Sequence, residues 1–313
     1  MKTREAMPSE SVAGGPSSVR RTEINANGTV GVVFEPIAKS DHFVVMLSGS
    51  SGGIPESPAR RLAELGLTAF ALGYHGAQGL PSALVEIPIE SLERGIELFR
   101  HTYAGRRAVG LMGMSKGAEL ALVLAAHMGD AIGPVVAVAP SHVAWFGLKP
   151  PGPDTDRRSE RSSWSLGGQP LPFLPCPPEV QPVFTDKGLR TDFFFDLSRY
   201  EPGDVEAATI AVERSSGPIL LLSGDDDHQW PAELMAGEIV RRMVAHGRVN
   251  DVTNVVYPGA GHVFLVQSLP PLSYIPGTGP PMDFGGTTAA DIAAGKDTWQ
   301  RIPSFLQSPE VTR

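Results

Sequence analysis

The chain is poor in cysteine and has no long hydrophobic run. One cysteine among 313 residues excludes an internal disulfide framework and a metal site built from cysteines. The longest apolar runs, such as residues 120–126, are far shorter than a membrane span. Residues 1–20 lack the apolar segment that directs export. These absences lead us to expect a cytoplasmic protein without a membrane partner.

Basic residues are also in the minority. The chain has 26 Lys and Arg residues against 34 Asp and Glu residues, which gives a net charge of −8. Nucleic acids and anionic membrane surfaces are recognised through positive charge. We therefore expect a small-molecule partner rather than a nucleic acid. The sequence leaves the oligomeric state open.

Strand-like and helix-like segments alternate through most of the chain. Short apolar runs, typical of strands buried on both faces, occur at 43–47, 68–72, 108–112, 134–139, 218–224 and 252–259. Helical patterns between and after them begin at Ser57-Pro58 and cover 116–128, 231–247 and 289–306. This alternation predicts an α/β fold with a mostly parallel sheet covered by helices on both faces. We assign residues 18–313 to one such domain.

Three regions depart from the alternation. Residues 1–17 are rich in Ser, Pro, Gly and Glu without periodicity, which predicts a disordered tail. Residues 18–36 predict a β-hairpin, because Asn27-Gly28 lies between two β-prone runs. Residues 150–182 contain nine prolines. We expect this segment to be irregular and to contribute nothing to a sheet, as part of a lid-like insertion over 150–200.

The pattern Gly-x-Ser-x-Gly occurs twice, at residues 49–53 (the early loop) and at residues 113–117 (the elbow). In a nucleophile elbow a strand runs into the serine and a helix starts directly after it. Ser115 meets both conditions, whereas Ser51 is followed by several residues before any helix can begin. We therefore predict Ser115 as the nucleophile.

The histidine and the acid that activate a serine should follow later strands, with the acid first. His262 stands in a glycine-flanked turn after the strand predicted at 252–259. Three other histidines are interpreted as loop or packing residues: His75, His142 and His228. The chain order serine, acid, histidine is the order of an α/β-hydrolase triad.

The acid comes from the run Asp225-Asp226-Asp227, which follows the strand predicted at 218–224. Asp227 lies where the chain has left the strand, so it is the first choice, and Asp226 is the second. Turn aspartates often serve the backbone through their own side-chain bonds. A calcium loop is a poor alternative because its alternating ligand spacing is absent.

An acyl-transfer site also needs N–H donors for the developing oxyanion. The backbone N–H of Lys116, directly after the nucleophile, supplies one donor. The early loop supplies the second, from Ser50 or otherwise Ser51. Only the backbone of Lys116 has a role in this hypothesis, and we expect its side chain to be solvated. Aromatic residues near strand ends are candidates for an acyl pocket, namely Trp145, Phe146, Phe193–Phe195 and Trp230.

Several longer stretches resemble one known family. GMSKGAELAL, LSGSSGGIPE, LGYHGAQGLP, SGDDDHQWP and YPGAGH are similar to the catalytic domain of acyl-CoA thioesterases and bile acid-CoA:amino acid N-acyltransferases. The resemblance covers roughly residues 25–306 and implies an α/β-hydrolase fold. It also implies triad roles for Ser115, Asp227 and His262. An anionic CoA would need local basic residues in this acidic chain, such as Arg157, Arg158 and Arg161.

The sequence departs from the family in two ways. Larger relatives carry an N-terminal β-sandwich domain, which a short hairpin does not replace, and the amino-acid-conjugating members have cysteine where this chain has Ser115. We therefore predict a serine-dependent hydrolase of acyl thioesters that requires neither a metal nor another cofactor. The alternatives are a carboxylesterase, an acyltransferase with an amine or alcohol acceptor, and a catalytically silent binding protein. The acyl chain, the acceptor and CoA as the carrier stay open.

Overall fold

An eight-stranded sheet forms the centre of the computed structural model, which describes residues 19–150, 156–265 and 281–308. The strands of the protein in chain order are β1 (Val19–Ala26), β2 (Thr29–Pro36), β3 (Phe43–Leu47), β4 (Thr68–Gly73), β5 (Ile87–Pro88), β6 (Val109–Met114), β7 (Ile132–Val138), β8 (Phe146–Leu148), β9 (Arg158–Ser162), β10 (Trp164–Leu166), β11 (Gln169–Pro170), β12 (Val183–Phe184), β13 (Leu189–Arg190), β14 (Ile219–Gly224) and β15 (Val252–Tyr257). The α-helices are α1 (Glu56–Glu64), α2 (Ile89–Thr102), α3 (Lys116–Met128), α4 (Pro202–Ala208), α5 (Ala232–Ala245) and α6 (Thr288–Leu306). The tail predicted at 1–17 lies outside the described residues.

The central sheet has the strand order β1-β2-β4-β3-β6-β7-β14-β15. Its six strands from β4 to β15 run parallel to one another, whereas β1 and β2 are antiparallel to their neighbours. Asn27 and Gly28 join β1 to β2, and both have positive φ angles, of 53° and 77°. The predicted α/β class with a mostly parallel sheet is confirmed.

Side chains alternate between the two faces of the sheet, and each face is covered by its own helices. Val45 and Leu47 of β3 belong to the same buried cluster as residues of α2, α3 and α5, whereas Val44 and Met46 belong to the cluster that contains residues of α1 and α6. All of β3 is buried for this reason, and each large apolar side chain removed from water contributes about 1.5–3 kcal/mol. Within the described ranges no helix is long and apolar enough to cross a bilayer.

The start of α1 differs from the prediction. The sequence suggested a cap at Ser57 with Pro58 in the first turn. The helix instead begins at Glu56, with Pro55 in the capping position at φ −78°, and no side chain caps it. The fixed φ of a proline is compatible with a helix start. Pro55 precedes Pro58 in the chain, and α1 therefore begins directly after Pro55.

The insertion contains short strands, so the prediction that it forms no sheet is wrong. β9 pairs with β8, β10 pairs with β11 and β5, and β12 pairs with β13. Prolines keep these strands at two to five residues, too short for an alternating pattern. Buried aromatic residues fix the segment: Trp145 and Phe195 meet edge to face, with ring centroids 5.0 Å apart. The function of the insertion as a lid stays a prediction.

Parallel strands place all their carboxyl ends at one edge of the sheet, where ligands bind in open α/β sheets. The early loop follows β3, and the elbow spans the end of β6. The aspartate run follows β14, and the turn that contains His262 follows β15. The topology therefore brings every predicted site segment to the same edge.

Candidate active site

Ser115 lies at the junction between β6 and α3, in a strained backbone conformation. Its φ is 57° and its ψ is −124°, a region that residues with a side chain seldom occupy. The Ser115 N–H donates to the carbonyl oxygen of Val138 at 2.9 Å, and its own carbonyl accepts from the Ala118 N–H at 2.8 Å. These bonds hold the serine where the strand turns directly into the helix.

The two glycines of the elbow are required by close backbone contacts. A Cβ on Gly113 would overlap the carbonyl oxygen of Gly117, and a Cβ on Gly117 would overlap the carbonyl oxygen of Ser48. Neither position can carry a side chain without moving the backbone. The strand and the helix therefore approach each other as the small residues predict.

His262 is held by Asp227. The distance from His262 Nδ1 to Asp227 Oδ2 is 2.7 Å, and both side chains are almost fully buried. A carboxylate only accepts hydrogen bonds, so Nδ1 carries the proton and Nε2 is left as the basic nitrogen. The other carboxylate oxygen accepts from the backbone N–H groups of Gln229, at 2.8 Å, and Trp230, at 3.2 Å. These contacts fix the tautomer and the orientation of the imidazole.

The neighbouring aspartates have structural partners instead. Asp225 accepts from the Gly259 N–H at 2.6 Å, and Asp226 accepts from the Gly286 N–H at 3.0 Å. Asp226 also lies 3.2 Å from His228 Nε2. The structure thus places the first choice from the sequence, Asp227, against His262, and gives Asp226 to a loop.

One cavity of about 190 Å³ brings together the predicted nucleophile, histidine and oxyanion residues, whereas Asp227 is not among the residues that line it. Ser115 and His262 line it together with Lys116, Ser50 and Ser51. Its aromatic wall consists of Phe146, Phe194, Phe195, Trp230 and Phe284. An apolar wall beside a few convergent polar groups is typical of a site for a small molecule.

The pocket differs from the sequence prediction at three aromatic residues. Trp145 is completely buried and Phe193 is 40% exposed, and neither is among the described residues that line the cavity. Phe284 was missed. Its ring stacks on that of His262 with centroids 6.4 Å apart and an interplanar angle of 9°. Phe284 follows a Pro/Gly-rich stretch without periodicity, so the sequence had no signal for it.

The early loop is fixed next to the elbow by its own turn and by His75. The Gly52 N–H donates to the Gly49 carbonyl at 3.1 Å, and the Gly53 N–H donates to the His75 carbonyl at 2.9 Å. The His75 ring fills the space that a Cβ on Gly52 would need. Burial lowers the pKa of His75 from its ordinary value of 6.5 to about 4. The imidazole is therefore a neutral packing group at neutral pH.

The prediction that the Lys116 side chain is solvated is wrong. Its ammonium is buried and lies 2.9 Å from the carboxylate of Glu119, one turn further along α3. Glu119 also accepts from the Trp164 indole N–H at 2.6 Å and from the Trp145 backbone N–H at 3.2 Å. Burial lowers the pKa of Lys116 and raises that of Glu119, while the ion pair opposes both changes. The pair ties the start of α3 to the insertion.

A sequence signal for this pair does exist. Glu119 is an acidic residue in the otherwise apolar stretch from Gly117 to Ala126, three positions after Lys116. A buried Glu is seldom left without a partner, and side chains three apart on a helix are neighbours, so Lys116 is the partner that the sequence indicates.

In the described part of the chain, no group of three His, Cys, Asp or Glu side chains is arranged to hold a metal ion.

Comparison with known proteins yields one family. The family model described as "BAAT / Acyl-CoA thioester hydrolase C terminal" matches residues 87–309. Acyl-coenzyme A thioesterase 1 of Homo sapiens is 29% identical over 295 residues, which cover 93% of this chain. Acyl-coenzyme A amino acid N-acyltransferase 2 of Mus musculus is 28% identical over 299 residues, which cover 94% of it. The match spans 66% of the length of each relative. The resemblance identified from the sequence is confirmed.

Solved structures agree on the fold. An esterase from Pyrococcus furiosus superposes with a TM-score of 0.53 at 15% identity, over 98% of both chains. At this identity the likeness concerns the fold alone. The predicted α/β-hydrolase fold is confirmed.

Proposed function

Because this chain belongs to the family of BAAT and acyl-CoA thioester hydrolase C-terminal domains, we propose that it is a serine-dependent hydrolase of acyl thioesters. The observation that supports this most is the cavity itself. Ser115, at its strained elbow, lines the same cavity as His262, whose Nδ1 lies 2.7 Å from Asp227. A serine and an imidazole at one cavity, with an acid that orients the imidazole, form the machinery of acyl transfer.

In the proposed first half-reaction, Ser115 Oγ attacks the thioester carbonyl carbon while His262 Nε2 takes the hydroxyl proton. The backbone N–H groups of Ser50 and Lys116 stabilise the negative charge on the carbonyl oxygen. The tetrahedral intermediate collapses, the C–S bond breaks, and the imidazolium returns the proton to the thiolate. Asp227 stabilises the imidazolium and keeps its tautomer. The product is an ester of Ser115 with the acyl group.

In the second half-reaction, His262 removes a proton from water, which attacks the acyl ester. The carboxylic acid leaves and Ser115 regains its proton. A thiolate is a better leaving group than an amine, so one imidazole suffices as the acid in the first half-reaction. The aromatic wall of the cavity suits the acyl chain.

A second candidate function is transfer of the acyl group to an amine. The observation that favours it is the 28% identity to an amino acid N-acyltransferase. The acyl-enzyme would be the same, with an amine in place of water as the attacking group. The serine at the elbow favours hydrolysis, following the family resemblance described above.

The test of the proposed reaction is steady-state kinetics on a thioester, an oxygen ester and an amide that share one acyl group. We expect the highest kcat/KM for the thioester and the lowest for the amide. A much higher kcat/KM for the oxygen ester than for the thioester would contradict the thioesterase proposal and favour a carboxylesterase. Product formation that requires an added amine would favour the transferase.

The role of Asp227 is tested by Asp227→Asn beside Asp226→Asn as its matched control. An amide offers the imidazole a wrong hydrogen-bond partner, and in a well-studied serine protease this change lowers kcat about 10⁴-fold. We expect a loss of that order for Asp227→Asn. Asp226→Asn should change kcat less than about threefold, since an Asn oxygen can still accept from Gly286. A loss at position 226 equal to that at 227 would overturn the assignment.

A further inference from the structure

Three arginines lie in β9 or directly before it, namely Arg157, Arg158 and Arg161, and they differ in whether a carboxylate balances their charge. Arg158 forms a two-pronged ion pair with Asp156, at 2.7 and 2.9 Å. Arg161 pairs with Glu86 at 2.8 Å through its Nε. Arg157 has no carboxylate partner in the described part of the chain. Of these three arginines, Arg157 alone has a charge that no described carboxylate balances.

Arg157 is half-buried and lines the same cavity as Ser50 and Ser115. Its Nε donates to the Lys149 carbonyl at 2.9 Å, and its Nη2 donates to the Ser50 carbonyl at 3.4 Å. Both acceptors are neutral, so they orient the guanidinium without balancing its charge. Burial accordingly lowers the pKa of Arg157, whereas the ion pair with Asp156 raises that of Arg158.

The other charged groups at the cavity are balanced within the protein. Lys116 is paired with Glu119, and Asp156 is occupied by Arg158. The His262 imidazole is held by Asp227. An uncompensated buried cation is costly unless an anion completes it. Arg157 is partly removed from water, and no carboxylate among the described residues balances it, so the cavity offers this cation to an anionic group of a bound molecule.

We infer that Arg157 binds an anionic oxygen group of the substrate, a carboxylate or a phosphate, next to Ser50. Arginine suits this task because its planar fork binds such groups through two parallel hydrogen bonds. Two carbonyl contacts occupy part of the fork and leave further N–H groups for the ligand. The anion is either a carboxylate at the far end of the acyl chain or a phosphate of the thiol carrier. The inference rests on the proposed thioesterase function for its substrate.

The experiment compares Arg157→Gln with the wild type on four thioesters. A neutral acyl group and an ω-carboxyacyl group of equal chain length are each joined to CoA and to N-acetylcysteamine, which has no phosphate. If the acyl carboxylate is the ligand, we expect kcat/KM to fall about 10- to 100-fold for both ω-carboxyacyl thioesters. The kcat/KM of both thioesters with a neutral acyl group should then stay unchanged. If the carrier phosphate is the ligand, both CoA thioesters should lose this much, and both N-acetylcysteamine thioesters should keep their rates.

Two further variants make the result specific. Arg157→Lys keeps the charge and should restore part of the loss. Arg199→Gln removes an exposed arginine of the insertion that pairs with Asp196 at 3.2 Å, and it should leave all four rates unchanged. An equal fall on all four thioesters in Arg157→Gln would show a structural role for Arg157 and overturn the inference, as would no fall on any of them.

A binding measurement separates this inference from the proposed function. Calorimetric titrations of Ser115→Ala with CoA and with glutarate need no turnover, and the added Arg157→Gln change should weaken binding of one of the two about 10-fold or more. If the wild type hydrolyses no thioester but this loss occurs, the proposed function fails and the anion site stands. If thioesters are hydrolysed but neither ligand depends on Arg157, the proposed function stands and the inference fails.

Discussion

The early loop and the elbow share the pattern Gly-x-Ser-x-Gly but have different structures. In the elbow, Ser115 has a φ of 57° and the next residue begins α3, and both glycines lie against backbone atoms. After the early loop, α1 begins only at Glu56. A Cβ on Gly53 would meet no atom within 4 Å. The pattern alone therefore does not define a nucleophile elbow, because its strain comes from the strand and the helix that flank it.

The strongest test of this difference is Ser115→Ala beside Ser51→Ala. We expect the first change to lower kcat on the order of 10⁶-fold, as nucleophile removal does in a well-studied protease, with little change in thermal stability. Ser51→Ala should lower kcat by less than about tenfold, because the hydroxyl has no role in the proposed reaction.

Covalent labelling with a fluorophosphonate gives a second readout for the same pair. The wild type and Ser51→Ala should be labelled, and Ser115→Ala should not. A wild type that resists the label would favour a catalytically silent binding protein. Normal turnover in Ser115→Ala with loss in Ser51→Ala would reverse the assignment of the two loops.

The first glycine of each loop tests the packing side of the comparison. Gly113→Ala places a Cβ against the Gly117 carbonyl, so the backbone must move, and we expect a loss of about 3 kcal/mol or more in the free energy of unfolding. In Gly49→Ala the nearest atom is the Met114 carbonyl oxygen at 3.1 Å, and the expected loss is below about 1.5 kcal/mol. Urea unfolding measures both. Equal losses would mean that the elbow is not the tighter turn.

The contrast between the loops also indicates which features a sequence can predict. The helix predicted at 116–128 and the strand predicted at 43–47 have these bounds in the structure, because each is a mostly apolar run that ends at polar residues or a glycine. The proximity of Asp227 and His262 follows from chain order, since consecutive parallel strands bring their ends together. Local pattern and topology together carry this part of the prediction.

The features that the sequence could not predict depend on contacts between segments that are far apart in the sequence, in the insertion and outside it. The burial of Lys116 depends on Trp145 and Trp164, the partners of Glu119, which lie 26 and 45 residues after Glu119 in the sequence. The strands there have too few residues to show a period, and Phe284 follows an aperiodic stretch. Contacts of this kind are determined by tertiary packing, which the propensities of single residues do not predict.

The two loops also differ in a titratable neighbour. The early loop packs on His75, whose Nε2 lies 3.4 Å from the Gly49 carbonyl oxygen and which is 2% exposed. Burial is the main cause that lowers the pKa of His75 to about 4, and the nearby Arg157 charge acts in the same direction. Between pH 6.5 and 4 the unfolded chain therefore binds a proton at this residue that the folded chain does not. Folding stability from this residue is complete above pH 6.5 and is lost as the pH falls towards 4.

The smallest predicted effect follows from this difference and is tested by His75→Gln. At 1.36 kcal/mol per pH unit, titration of His75 costs the wild type about 2 kcal/mol of unfolding free energy between pH 6.5 and 5. A glutamine stays neutral, so the variant should lose about 2 kcal/mol less over this interval in urea unfolding at a series of pH values. His142→Gln is the matched control outside both loops, since burial also lowers the pKa of His142 to about 4. This variant should likewise lose about 2 kcal/mol less unfolding free energy than the wild type between pH 6.5 and 5. His75→Gln could instead lose as much unfolding free energy on acidification as the wild type, while His142→Gln loses less. That result would show that the early loop opens to solvent and that His75 is protonated without unfolding of the protein.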